Sequence, residues 1–227
     1  MRGLGEGAVD VAAFRKLGYT VLPERLPAVL LDPIAQAAAR LAAKPPRQAL
    51  LSGVHNPFGR AAQLVDAWRF LELSESGELL DAVSALAGPD LVLWDSELYR
   101  DATEWSEARR REGRYWPADP LAGVVVDVAL GDGTATLAAV ESAHAAPGPT
   151  PGAHYVIRYM PATSHYNRDP RFEPNRLLME ENPLVNYAHR PIWLVRGEDR
   201  AGSDFATGFA PMAPGWAGEQ ALRNVGV

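Results

Sequence analysis

The apolar positions fall into two regimes. Up to about residue 90 they recur every three or four residues, the repeat of a helix with one buried stripe; between about 90 and 161 they cluster in short β-branched and aromatic runs. Asp10 can cap a helix over VAAFRKL, with Val11, Phe14 and Leu17 on one face and Gly18 as its stop. Tyr19 to Leu22 then reads as a strand ended by Pro23. Asp32-Pro33 is the pattern of a cap followed by proline in the first turn, so IAQAAARLAAK is expected to be a helix that Pro45-Pro46 ends. Further amphipathic segments run from about Ala61 to Leu73 and over GELLDAVSALAG.

The strands expected next are Asp90 to Arg100, Gly123 to Leu130, Ala135 to Val140 and His154 to Met160. Gly131-Asp132-Gly133-Thr134 is a hairpin turn by composition. Thr103 to Arg114 is so charged that it reads as an exposed connection, with Arg109-Arg110-Arg111-Glu112 as a solvated run. After Pro161 the periodicity weakens, as in site-covering loops. No linker or repeat interrupts the chain. The reading is one domain over 1–227: a helical layer at about 8–90, a β core at about 90–161 and an irregular tail at 162–227.

Composition narrows the chemistry. The 227 residues contain no cysteine, which removes disulfides, thiolate metal sites and thiol nucleophiles. A net charge of −6 disfavours a nucleic-acid partner. No apolar run reaches the roughly 18 residues of a membrane span, and the N-terminus lacks the order of a signal peptide, so the expected location is cytoplasmic and no membrane partner is expected. The lysines, Lys16 and Lys44, fall on solvated helix faces. Motifs for dinucleotides, P-loops, zincins and hydrolase elbows are absent.

The candidate chemistry lies in the histidines and one arginine. His144 follows a strand and His154 opens the next, so adjacent strands could bring them together as metal ligands or leave them as polar packing residues. His165 sits in the polar run SHYNRDPR, either at a pocket mouth or on a solvated loop. Arg158 shares a strand face with Val156 and Met160, opposite Tyr155, Ile157 and Tyr159. A charge among apolar neighbours is either an anion clamp for a ligand carboxylate or half of an internal salt bridge.

Four segments, in order, resemble the phytanoyl-CoA dioxygenase-like branch of the Fe(II)/2-oxoglutarate oxygenases: Phe14 to Pro23, Leu79 to Tyr99, Tyr115 to Pro120 and Arg158 to Pro161. The resemblance implies an α+β, mainly β fold, a double-stranded β-helix of jelly-roll or cupin kind with the N-terminal helices packed outside. It also implies Fe(II) and 2-oxoglutarate as cofactors. Such enzymes hold iron through an H-x-D pair and a distant histidine, and this sequence has no H-x-D. Placed by distance to the following strand, the motif falls on Arg110 and Glu112; placed by Trp116, it falls on Pro117 and Asp119. The implied metal set is His144, Asp119 and Glu112, and the oxoglutarate anchor is Arg158 or its place is taken by His154.

Three functions are consistent with this pattern. The first is a small-molecule oxygenase, of the kind that tailors secondary metabolites, with rearranged ligands. The second is a metal-free isomerase, cyclase or lyase that uses His144, Asp119, His154 and Tyr155 as acid–base groups. The third is a non-catalytic small-molecule binder. In each, the partner is a small molecule held between Trp116, Tyr159, Tyr166, Tyr155 and Trp193, with the tail Thr163–Arg190 as cover.

Overall fold

The structure is a computed structural model and describes residues 9–43, 51–63, 65–181 and 189–208. Helix α1 (Val11–Leu17) begins where the Asp10 carboxylate accepts the Ala13 N–H and ends at Gly18 in the left-handed conformation, φ 79°. Strand β1 (Tyr19–Val21) comes directly after it. Helix α2 (Ala28–Ala42) starts at Pro27, earlier than Asp32-Pro33 implies, and carries Pro33 inside it. Pro33 has no N–H for the Val29 carbonyl, but Val29 lies in a first turn that is open to water. The expected stop at Pro45-Pro46, like Lys44, lies outside the described residues. A 3-10 turn at Arg60–Gln63 precedes α3 (Ala67–Ser74), and α4 (Gly77–Ala87) ends at Gly88.

Strand β2 (Leu91–Tyr99) is wholly buried. The charged stretch after it is not a bare connection. Asp101 caps α5 (Ala102–Ala108) by accepting the Thr103 and Glu104 N–H groups, and a 3-10 turn at Arg109–Arg111 succeeds it. Trp105 anchors α5 in the core. Then come β3 (Ala118–Asp119), β4 (Val124–Ala129), β5 (Ala135–Ala139) and β6 (His154–Pro161). The β4–β5 hairpin turns at Gly133, φ 76°, with Asp132 accepting the Thr134 N–H. The expected irregular tail contains β7 (His165–Tyr166), α6 (Glu173–Glu181) and β8 (Trp193–Arg196).

Six strands form one antiparallel sheet in the order β1-β5-β4-β6-β2-β8, and β3 pairs with β7 in a second, two-stranded sheet. One face of the large sheet carries Leu93, Val126, Leu137 and Ile157 against Ile34, Phe70, Leu79 and Val83 of the helices. The other face carries Val92, Val125, Val156 and Met160, and it packs on Ala118 and Tyr166 of the small sheet together with Trp105 and Leu178. The architecture is α+β, with α1–α4 on one side of the main sheet and the small sheet, α5 and α6 on the other. Among the described residues no helix is long and apolar enough to cross a membrane.

An irregularity in β2 decides which of its side chains share a face. Leu93 pairs with Tyr159 and Asp95 pairs with Arg158, so Trp94 is an extra residue. A bulge of this kind places two consecutive side chains on one face and shifts the alternation by one. Trp94 packs in the cluster away from the helices. Beyond the bulge, Asp95, Glu97 and Tyr99 share the face of Arg158, Val156 and His154, while Ser96 and Leu98 turn to the helices.

Gly123 fixes the neighbouring wall. A Cβ there would lie 2.1 Å from Trp116 Cζ3 and 2.5 Å from the Tyr159 carbonyl oxygen. Gly123→Ala is therefore expected to cost about 1–3 kcal/mol by overpacking, seen as a lower denaturant midpoint with an unchanged slope; an unchanged midpoint would contradict this packing.

Candidate functional site

On the face of the large sheet turned from the helices, strand residues carry charge toward a cavity. Arg158, in the middle of β6, is the centre of that charge. Its Nε and Nη2 donate to Glu112 Oε1 and Oε2 at 2.6 and 2.9 Å, its Nη1 donates to Asp95 Oδ2 at 3.0 Å, and its Nη2 lies 2.9 Å from Glu97 Oε2. The side chains of Arg158, Asp95, Glu97 and Glu112 are 6%, 0%, 12% and 4% exposed. Asp95 also binds Arg190 Nη1 at the edge of β2, and Arg190 Nη2 donates to Ser52 Oγ at 2.8 Å.

Neutral donors complete the cluster. The Trp116 indole N–H donates to Glu112 Oε1 at 2.8 Å, and the Tyr99 hydroxyl donates to Glu97 Oε2 at 2.5 Å. Burial alone would depress the Arg158 guanidinium, but the Glu112 and Glu97 carboxylates outweigh it and hold the group well above its ordinary value. Burial, with the Glu97 carboxylate beside it, pushes the Tyr99 phenol well up, so it stays a donor. Burial draws the Arg190 guanidinium down, yet it remains charged at neutral pH. Three carboxylates and two guanidiniums thus sit together out of water.

Above this cluster is a cavity of about 210 Å³ lined by Trp94, Tyr99, Trp116, Leu178, Glu97, Glu112 and Arg158, with the more exposed Tyr115, Arg111 and Glu181 toward its mouth. Trp94 and Trp116 meet edge to face at 5.1 Å. At the mouth Glu181 accepts from both Arg114 and the Tyr115 hydroxyl.

The cavity brings together Trp116, Arg158 and Glu112 from the residues singled out in the sequence, and separates the rest. Arg158 is not an open clamp for a ligand anion, because its N–H groups are directed to the chain's own carboxylates. Glu112 does not stand ready for a metal, since both of its oxygens accept from Arg158. His144 is exposed on a 3-10 turn, and Asp119 is exposed on β3 opposite His165, also exposed. Tyr155 and Tyr159 point to the helices: Tyr155 O–H shares a hydrogen bond of 2.9 Å with Ser74 Oγ, and the Tyr159 hydroxyl donates to the Ser74 carbonyl at 2.6 Å. Burial pushes both phenols up. Trp193 covers the edge of β2 against the His55 ring, at 4.7 Å. Tyr166 supports Trp94 from behind at 6.4 Å.

The residues that sequence reasoning passed over are Asp95, Glu97 and Tyr99. Their signal is acids two apart inside a strand of mostly apolar residues, with a phenol two further on. Acids at such positions need a buried cation.

The five histidines all lie within the described residues, where no group of three His, Asp or Glu side chains could hold a metal ion. His55 is buried with Nδ1 2.6 Å from Ser96 Oγ, and burial beside Arg190 lowers its pKa to about 3. His154 is buried with Nδ1 2.7 Å from Asp127 Oδ1 and Nε2 2.8 Å from the Thr150 carbonyl. The residues present do not fit the iron centre that the family resemblance implies.

No family model matches the chain, and no curated protein does. Solved structures do. CytC3 with Fe(II) and alpha-ketoglutarate matches with a TM-score of 0.54 at 17% identity, over 85% of this chain and 89% of that one. CytC3 alone gives 0.53 at 18% identity over 86% and 91%. The nickel complex of the non-heme monooxygenase ThoJ gives 0.51 at 16% identity over 95% and 94%. The likeness is one of fold. It leaves the chemistry to be read from this chain's own side chains.

His154 yields a pH test. Both ring nitrogens face acceptors, an arrangement satisfied only by the doubly protonated ring. Burial opposes that proton, but Asp127 and the Thr150 carbonyl prevail, so the pKa rises above its ordinary 6.5. A raised folded-state value means the stabilisation is full below 6.5 and is lost as pH climbs through the folded-state value. NMR titration should place His154 above 6.5, and His154→Gln should remove that segment of the stability–pH curve; a value below 6.5 would refute the assignment.

Proposed function

We propose that this chain is a metal-independent small-molecule enzyme on a shortened double-stranded β-helix of the phytanoyl-CoA dioxygenase-like kind. The two unequal sheets with helices outside support that fold reading, as does the likeness to CytC3 and ThoJ. The active site is the Trp94–Trp116 cavity. Its chemistry is proton transfer, as in an isomerisation, cyclisation or elimination, with Glu112 and Glu97 as the groups that meet the substrate and Tyr99 donating a hydrogen bond to Glu97 Oε2. Arg158 fixes both carboxylates in place. The partner is a small molecule alone, neither nucleic acid nor membrane, and the setting is the cytoplasm.

One observation carries this reading. The cation shared by the buried carboxylates is Arg158, a part of the chain itself. Iron needs imidazole and carboxylate donors with free lone pairs, and here Glu112 is committed to a guanidinium while His144 and Asp119 lie at the surface.

A second reading, a binding protein without turnover, is favoured by a specific detail. Both Glu112 oxygens accept charge-assisted bonds from Arg158, and Oε1 takes the Trp116 N–H as well. Those bonds occupy lone pairs that a general base would use.

The test is metal analysis of protein purified without chelator, then anaerobic thermal unfolding with Fe(II) and 2-oxoglutarate. Iron well below one equivalent and an unmoved Tm are expected, because a ligand of the native state must raise Tm. Stoichiometric iron with a 2-oxoglutarate-dependent rise would overturn the proposal.

A further inference from the structure

The helical layer carries a second concave surface. Along α3 and its C-cap, Trp68, Leu71, Glu72 and Glu75 recur at helical spacing and share one face. That face meets Pro27, Val29 and Leu30 at the start of α2. Between them runs an open groove of about 700 Å³, with Ser76 and Glu78 of the α4 corner also in its wall. It lies on the far side of the large sheet from the Trp94–Trp116 cavity, since Leu71 packs in the helix-side core and Trp94 in the other. The fold leaves its apolar lining in water: Val29 is 77% and Trp68 61% exposed. An indole and a valine held side by side at the surface of one groove are apolar area of the kind that marks an interaction site.

The charge that lines the groove is of one sign. Glu72 is answered within α3 by Arg69 at 2.8 Å, and Arg69 also lies 3.8 Å from Asp66. Glu75 and Glu78 have no ion pair among the described residues. Partial burial raises the Glu75 carboxyl above its ordinary value, a cost that an arriving cation would relieve. The N-terminus of α4 favours Glu78 in its first turn, but with only a partial charge. The other cations of the surrounding segments are placed elsewhere. Arg40 stands in the last turn of α2, Arg25 faces Asp132 at 4.0 Å, and Arg196 binds Asp81 at 2.7 Å.

We infer that this groove docks a basic amphipathic helix of a partner protein. Aliphatic side chains along one stripe of that helix enter between Trp68, Leu71 and Val29, and lysines or arginines beside the stripe meet Glu75 and Glu78. An open groove flanked by helices suits such a segment better than a small molecule, which a pocket encloses on most of its surface. A second copy of the chain fits poorly, because a two-fold contact would set Glu75 and Glu78 against their own counterparts. The same glutamates repel an anionic lipid surface.

The experiment uses the full-length protein and two labelled model peptides of about 18 residues, long enough to form a helix alone. Both carry the same leucine stripe; one has lysine and the other glutamate at every polar position. Fluorescence anisotropy at neutral pH should detect binding of the lysine peptide and none of the glutamate peptide. Trp68→Ala should weaken the lysine peptide at least about tenfold, as for an aromatic anchor. Glu75→Gln combined with Glu78→Gln should weaken it about tenfold at about 50 mM salt, a difference that disappears at about 0.5 M. These variants alter exposed side chains, so their thermal midpoints should match that of the wild type. No binding of the lysine peptide, or equal binding by the wild type and both variants, would overturn the proposal. So would a dimer that Trp68→Ala dissociates in sedimentation, or Trp68-dependent pelleting with phosphatidylserine vesicles, since each puts a different occupant in the groove.

Discussion

A guanidinium buried among three carboxylates organises this molecule. Charges out of water are tolerated only when each has partners in good geometry, and removing one partner leaves the others exposed to the full desolvation cost. Arg158 from β6 therefore ties together segments that are far apart in sequence: Asp95 and Glu97 of β2, and Glu112 beyond α5. Through Asp95 it also reaches Arg190, which leads into β8, and through Glu112 it reaches Trp116. The bulge at Trp94 makes this convergence possible, since without the extra residue Asp95 and Glu97 would point at the helices. The large sheet consequently packs apolar side chains on both faces and sets the charged site into one of them.

The likeness to CytC3 and ThoJ is one of fold. In a CytC3 structure the bound groups are Fe(II) and alpha-ketoglutarate. In this chain Asp95, Glu97 and Glu112 are bound by Arg158 and Arg190, and His55 and His154 have their hydrogen bonds elsewhere. A fold of this kind offers a cup between sheets; what the cup does is decided by the side chains that line it.

Much of the architecture was legible because local rules and tertiary packing agree in it. Asp10 and Gly18 mark α1 at both ends, and β2, the β4–β5 hairpin and β6 arise from branched runs separated by glycine turns. Helix α2 was misplaced at its start because the Asp32-Pro33 pair mimics a cap, whereas the break is at Pro27. The site was less legible. Charge density made Thr103–Arg114 look solvated, yet Trp105 and Glu112 are buried there, since the charge on Glu112 is answered by a residue 46 positions away. That Arg158 lies on an apolar strand face could be read from alternation; that its partners were internal acids could not, because the register of β2 depends on a bulge that periodicity does not announce. His144 and Asp119 were attractive by type, but a 3-10 turn and the short β3 leave them at the surface.

The most direct test of the central interaction is a double-mutant cycle on Arg158 and Glu112, with Arg158→Met, Glu112→Gln and the pair measured by equilibrium unfolding at neutral pH. If the buried ion cluster governs the structure, the double variant is less destabilised than the sum of the singles, with a coupling of about 2–3 kcal/mol. Single effects that simply add, to within about 0.5 kcal/mol, would contradict the account.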